Sequence, residues 1–349
     1  MKVLIPLDDG WIYPNPFVAL QKEELEKTHG VNVVTGVHEF WDGSESFDII
    51  HVYWPQCLVQ ESFSHKTIQE LVEKIRSYKN RGVKIVSTAL NMVAHYSENN
   101  KINESYAVIY KMSDMCLHLT DYSRNLFIQM YPNVIHKILP HHVYDPLYKE
   151  LPDKKQSQRY LGLDSSKINI LSFGTYRSDE ERKFICKVAD AVRDLPVNFI
   201  IPTYYRLPAN KRFSYFKTKF KLWLTHILHS NIFCNGVYVD KDLTTYYSAT
   251  DISFIQRIKI LTSGNVPMGL FMGHVVVGTE DANVGCTLKE TGNPTFNVAN
   301  IDSVREAIIE SIKLVKQGKG NQNRLYSLAM WNNAKITQTL FDYYKEICS

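Results

Sequence analysis

The sequence predicts an α/β protein of two doubly wound domains, each a parallel sheet covered by helices on both faces. Three observations predict it. Short apolar runs alternate with helical patterns from Lys2 onward, the order that a parallel sheet with crossover helices requires. The alternation breaks once, over a polar, loop-like stretch at residues 148–166 rich in Lys, Asp, Gln and Ser, and then resumes. At 349 residues the chain also exceeds one comfortable core.

In the first half the strand-like runs are residues 2–6, 49–54 and 83–88, with further candidates at 115–119 and 136–139. Helical patterns at Pro16–His29 and residues 67–80 separate them. The second series runs through 168–173, 197–202, 237–239, 252–255 and 275–277. The linker falls near 150–166. In such sheets ligands bind at the carboxyl ends of the strands, so the expected site is a crevice there. No internal repeat or low-complexity tract is present.

Composition narrows the class. An apolar fraction of 44% and Lys+Arg 40 against Asp+Glu 36 describe an ordinary globular protein, and a net charge of +4 is too mild to argue for nucleic acid. Six cysteines lie scattered with no CxxC and no His/Cys ligand spacing, which fits reduced thiols in a cytoplasmic protein. Met1-Lys2 leads straight into a strand, so no signal peptide is expected. No segment approaches the roughly 20 apolar residues of a membrane span. The expectation is a cytosolic protein, at most one resting on the inner face of a membrane.

The stretch from Asp251 to Glu280 is the most informative. An apolar strand runs into a polar loop that closes on Thr262-Ser263-Gly264, and an apolar helix-length segment follows, ended by Gly273 before the next strand. That order leaves Ser263 and Gly264 at a helix start, where unpaired backbone N–H groups bind phosphate; a plain helix cap is the bland alternative. Arg177 follows a strand end and can fork two N–H groups onto phosphate oxygens, unless it pairs with Asp179 or Glu180. Lys259 lies three residues before the turn and Arg257 competes with it for the same role.

Other motifs have two readings. Asp240-Lys241-Asp242 has the form of a divalent-metal pair, but it precedes a plausible helix at Leu243, where acidic residues cap. The cap is favoured, and no metal and no cofactor are expected. Between Tyr204 and Trp223, Arg206, Lys211, Arg212, Lys217, Lys219 and Lys221 interleave with aromatics and no acid. That mixture suits an anionic membrane surface or a single-stranded nucleic acid. A basic helix packing its aromatics on its own domain is the commoner outcome.

Several segments taken together resemble one known family. Asn15-Pro16-Phe17, Asp48 through Pro55 (DIIHVYWP), Thr88 through His95 (TALNMVAH) and Pro140-His141 lie in the first half. Phe173-Gly174-Thr175-Tyr176-Arg177 and Ile260-Leu261-Thr262-Ser263-Gly264 lie in the second, with Trp331 opening a final helical stretch. Their order and spacing resemble the GT-B fold glycosyltransferases, specifically the large retaining family that builds bacterial polysaccharides and glycolipids.

The resemblance implies two Rossmann-like domains facing a central cleft. Residues 1–155 would hold the acceptor side and 156–330 the donor side, with a helix at 331–349 packing back on the first domain. It implies a metal-independent hexosyl transfer from a nucleotide sugar to a saccharide or lipid-linked acceptor, with no nucleic acid involved. It makes His95 and Arg177 catalytic and adds Gly174, Tyr176, Leu261 and Thr262 to the donor set of Arg177, Arg257, Lys259, Ser263 and Gly264. Asn15, His95, Glu98 and His141 fall to the acceptor side. Two positions depart from the pattern. A Glu-x7-Glu pair common in relatives falls on Ile260 and Met268, and a lysine falls on Glu180, with Arg182 the nearby substitute. A non-catalytic nucleotide-sugar-binding protein and a nucleotide-sugar epimerase are therefore the alternatives. A nicotinamide dehydrogenase is disfavoured, because no GxGxxG follows the first strand.

Overall fold

The computed structural model of the chain describes residues 1–13, 15–60, 64–93, 100–205, 212–234 and 243–349, without the side chains of 212 and 213. The chain divides into two compact units, Met1–Pro146 with Met330–Ser349, and Leu147–Ala329.

The first unit holds a six-stranded sheet of β1 (Lys2–Ile5), β2 (Asn32–Thr35), β3 (Ile49–Val52), β4 (Lys84–Thr88), β5 (Met115–His118) and β6 (Ile135–Ile138). Every pairing is parallel, in the order β2-β1-β3-β4-β5-β6. The second unit holds β7 (Ile168–Leu171), β8 (Val197–Ile200), β9 (Ile232–Phe233), β10 (Ile252–Phe254), β11 (Val275–Thr279) and β12 (Thr295–Phe296). These are also parallel, in the order β12-β11-β10-β7-β8-β9. Strand order reverses between β1 and β3 in one sheet and between β7 and β10 in the other.

Helices on both faces explain the unbroken apolar strands. All four residues of β3 and all five of β11 are buried. Full burial of a Val or Ile side chain contributes about 1.5–3 kcal/mol, so these runs anchor their sheets. Helix starts are capped as their sequences require. Asn15 accepts from the Phe17 amide ahead of Pro16, and Thr67 and Glu70 form a reciprocal capping box. In the first unit the helix Asn333–Cys348 packs on Pro16–His29. Its Tyr344 hydroxyl meets His51 Nδ1 at 2.6 Å, and the Asn333 amide donates to Asp145 at 2.9 Å.

Two features differ from the expectation. The polar stretch at 148–166 contains a helix, Lys154–Leu161, capped by Asp153 and stopped by Gly162 at φ +66°. Its polarity hid it: Ser157 and Gln158 are among its buried residues. The strands β2, β9 and β12 were not expected: β9 and β12 have only two residues each, and β2 holds only Val33 and Val34 between polar residues. The expected strand at 237–239 lies outside the described residues.

Candidate functional site

In the Leu147–Ala329 unit the loops after β7 and β10 leave the sheet side by side, at the reversal of strand order where open α/β sheets bind ligands. The loop after β7 brings Gly174, with φ +97°, beside the loop after β10. A Cβ at Gly174 would stand 3.3 Å from Asn265 Nδ2 and 3.7 Å from Arg257 Nη2. Both the positive φ and the close approach therefore call for glycine. The preceding carbonyl of Phe173 accepts from Asn265 Nδ2 at 2.8 Å and from Gln256 Nε2 at 3.2 Å. The Gly174 carbonyl accepts from Thr203 Oγ1 at 2.8 Å. The loop is thus held by three side chains remote in sequence.

Charge gathers at the same place. Glu181 Oε2 accepts from Arg257 Nη1 at 2.8 Å and from the Arg177 amide at 2.6 Å. Arg257 and Glu181 are both buried. Burial, and then the Arg257 guanidinium, push Arg177 down from its ordinary value to about 10, with Glu181 opposing. Glu181 thus pairs with the Arg257 guanidinium and with the backbone of Arg177, whose own guanidinium feels both charges. Taking such groups out of water is costly, and an anion is the ligand that two neighbouring guanidinium groups favour.

The Thr262-Ser263-Gly264 turn is anchored from the far side. The Asn283 amide donates to the Leu261 carbonyl at 3.1 Å, and Asn283 Nδ2 donates to Thr262 Oγ1 at 3.0 Å. Ser263 and Gly264 are half-buried, and their amides meet no acceptor among the described residues. The helix that follows, Asn265–Phe271, is only seven residues long. Val266 donates its amide to the Ser263 carbonyl, and Pro267 has none to give. This end therefore offers fewer donors and a smaller dipole than a regular helix start. The guanidinium pair carries more of the positive field.

The remaining donor-side candidates divide. Lys259 is exposed, whereas Arg257 lies against Gly174. Arg182 spends its donors on the Tyr204 and Tyr176 carbonyls and on Asp179, with its guanidinium over the Tyr205 ring. Tyr176 is buried, its hydroxyl 2.6 Å from Ser172 Oγ. Those two side chains face inward and brace the loop that carries Arg177. Glu181, Gln256, Asn265 and Asn283 were not singled out from the sequence. Only Glu181 left a signal there, as the last residue of the Ser178-x-x-Glu181 capping pattern.

In the first unit Asn15 and His141 meet at Phe17. Asn15 accepts from its amide, and the His141 ring lies 4.4 Å from its ring. Burial holds His141 down to about 3, so it is neutral at physiological pH. His95, Glu98 and the Asp240-Lys241-Asp242 motif lie outside the described residues. One metal-capable group occurs among the described residues, Cys116, His118 and His136, with ligating atoms within 4.8 Å of one another. There His118 Nε2 and His136 Nδ1 are hydrogen-bonded at 2.9 Å, and His136 Nε2 donates to the Tyr131 carbonyl. The two rings occupy each other rather than framing a vacancy.

No family model matches the chain, and no curated protein does. Solved structures do match over its full length. It resembles sucrose-phosphate synthase from Thermosynechococcus elongatus, with a TM-score of 0.68 and 12% identity over 99% of this chain and 98% of that one. It resembles Anabaena HepE in complex with UDP, with a TM-score of 0.69 and 15% identity over 99% and 100%. It also resembles the UDP-GlcNAc 2-epimerase of Neisseria meningitidis bound to UDP-GlcNAc, with a TM-score of 0.58 and 13% identity over 99% and 100%. At these identities the shared property is the fold, and the fold is GT-B.

Proposed function

We propose that this protein is a glycosyltransferase that takes a sugar from a nucleotide-sugar donor, with retention, in the assembly of a polysaccharide or glycolipid. The observation that carries the reading is the gathering of Arg177 and Arg257 beside Gly174 at the strand-order reversal, with Glu181 bonded to the Arg257 guanidinium and to the Arg177 backbone amide. Support also comes from the fold neighbours bound to UDP and UDP-glucose. The resemblance of the loop motifs adds to it.

The chemistry follows from the charges. When the bond between sugar and diphosphate breaks, negative charge develops on the departing phosphate. Arg177 offers a forked donor set to that oxygen charge, and the amides of Ser263 and Gly264 add neutral donors. Arg257, fixed by Glu181, contributes its field. Gly174 lets backbone and phosphate approach where a Cβ would intrude. In a retaining transfer the departing phosphate then takes the proton from the incoming hydroxyl on the same face of the sugar. The bond from the anomeric carbon to that hydroxyl oxygen replaces the one to phosphate, and the diphosphate leaves protonated. Positive charge from side chains makes a metal dispensable, so chelation with EDTA should leave turnover unchanged. The loop resemblance adds His95 as a contact of the transferring sugar. On that basis His95→Ala lowers kcat while donor affinity is kept.

The test is calorimetric titration of a panel of sugar nucleotides, followed by product analysis with and without acceptor sugars. Arg177→Ala is expected to weaken the donor about 10- to 150-fold, the value of one charge-assisted contact. The epimerase fold neighbour keeps a second reading in view. Conversion of the nucleotide sugar with no acceptor present would select it. Donor binding without any product would select a non-catalytic protein, the reading favoured by Ile260 and Met268 at positions where relatives carry carboxylates.

A further inference from the structure

The helix Arg212–Leu228 of the second unit turns its apolar side outward. Phe216 and Phe220 are each 59% exposed, Trp223 56%, Ile227 54% and Leu228 58%. The steps from 216 to 220, 223 and 227 are helix-face spacings, so these side chains form one stripe. Leu222, on the opposite side, is buried at 6%. The Phe220 and Trp223 rings pack together at 5.5 Å, so part of the stripe is already ordered. A soluble surface does not ordinarily gather large apolar side chains in this way.

Lysines border the stripe. Lys217 and Lys221 flank one side of it and Lys219 the other, as positions on a wheel of about 100° per residue. All three are exposed. Lys219 lies 5.1 Å from the Tyr215 ring and Lys221 5.3 Å from the Tyr205 ring, which holds their stems along the helix. No acidic residue occurs from Leu195 to Val239. Asp190, at the helix's C-terminal end, is engaged by Arg193 and His229. The bordering charge is therefore of one sign, and a second copy of the helix would meet it with repulsion. None of the helices described is long and apolar enough to cross a membrane.

We propose that this helix docks the protein on an anionic lipid surface. The apolar stripe enters the boundary between headgroups and acyl chains, and Lys217, Lys219 and Lys221 pair with acidic headgroups. This inference does not depend on the sugar-nucleotide site.

The experiment is flotation of the full chain with vesicles of phosphatidylcholine containing phosphatidylglycerol, and with phosphatidylcholine alone. Binding is expected to the first and not the second, and to fall as salt rises. Lys217→Glu with Lys221→Glu should weaken it by more than about 25-fold, at about fivefold for each charge. Phe220→Ser with Trp223→Ser should abolish it. These side chains project to solvent, so the variants should keep the melting temperature and the nucleotide titration of the wild type. Equal flotation with both vesicles, or none with either, overturns the proposal. So does stripe-dependent self-association in sedimentation with vesicles ignored, and so does binding of a single-stranded oligonucleotide in preference to vesicles.

Discussion

Glu181 carries more of the candidate site than any residue the motifs point to. It fixes Arg257 through its side chain and the start of the Arg177 segment through a backbone amide. Glu181→Gln removes the carboxylate that the buried Arg257 guanidinium pairs with, a loss of about 3–5 kcal/mol in comparable buried pairs. The expected result is a markedly lower melting temperature, recovered in part by saturating pyrophosphate, which binds only the folded state. Gly174→Ala forces an L side chain into φ +97° and against Asn265, at a cost of about 1–2 kcal/mol for the backbone alone. Urea unfolding would measure it. Legibility at this scale was uneven. Arg177 could be read because it follows a strand end, and Gly174 came with the motif resemblance. Asn265 and Asn283 could not, because their hydrogen-bond partners lie 92 and 21 residues away. Arg182 and Tyr176 show the reverse: a motif position does not say which way a side chain points.

The long elements were legible because their apolar period persists for several turns or fills a buried strand. The helix Pro16–His29 appears with the bounds its sequence announces, while the helix Lys154–Leu161 was concealed by polar residues. Buried histidines join elements and set the acid limit of the fold. His51 lies between β3, Thr88 on β4 and Tyr344 on the final helix. Burial depresses it from its ordinary 6.5 to about 3, and depresses His274 to about 4. The unfolded chain takes up these protons below about pH 6.5, while the folded chain refuses them until about pH 3–4. Stability is therefore complete above about pH 6.5 and is lost as pH falls through that window. A melting temperature that declines from pH 7 to pH 4 is expected, and a flat profile would contradict it. Tyr344→Phe removes the hydroxyl facing His51 Nδ1 and should cost about 1–3 kcal/mol.

For the molecule as a whole, identities of 12–15% accompany coverage of 99% of the chain. The architecture depends on burial pattern, helix caps and the order of parallel strands, and many sequences satisfy those conditions. Activity depends on a few groups at one end of a sheet, so the fold by itself does not decide it. On the proposed reading, Ile260 and Met268 mark where donor recognition would differ from that of the resembled family, which carries carboxylates there. The most direct measurement is calorimetric titration of UDP and ADP into the wild type and Arg177→Ala at low salt without divalent metal. Saturable binding by the wild type, weakened about 10- to 150-fold in the variant, is the predicted result. Equal affinity in the two proteins, or no binding by either, would contradict the assignment of these guanidinium groups to a diphosphate.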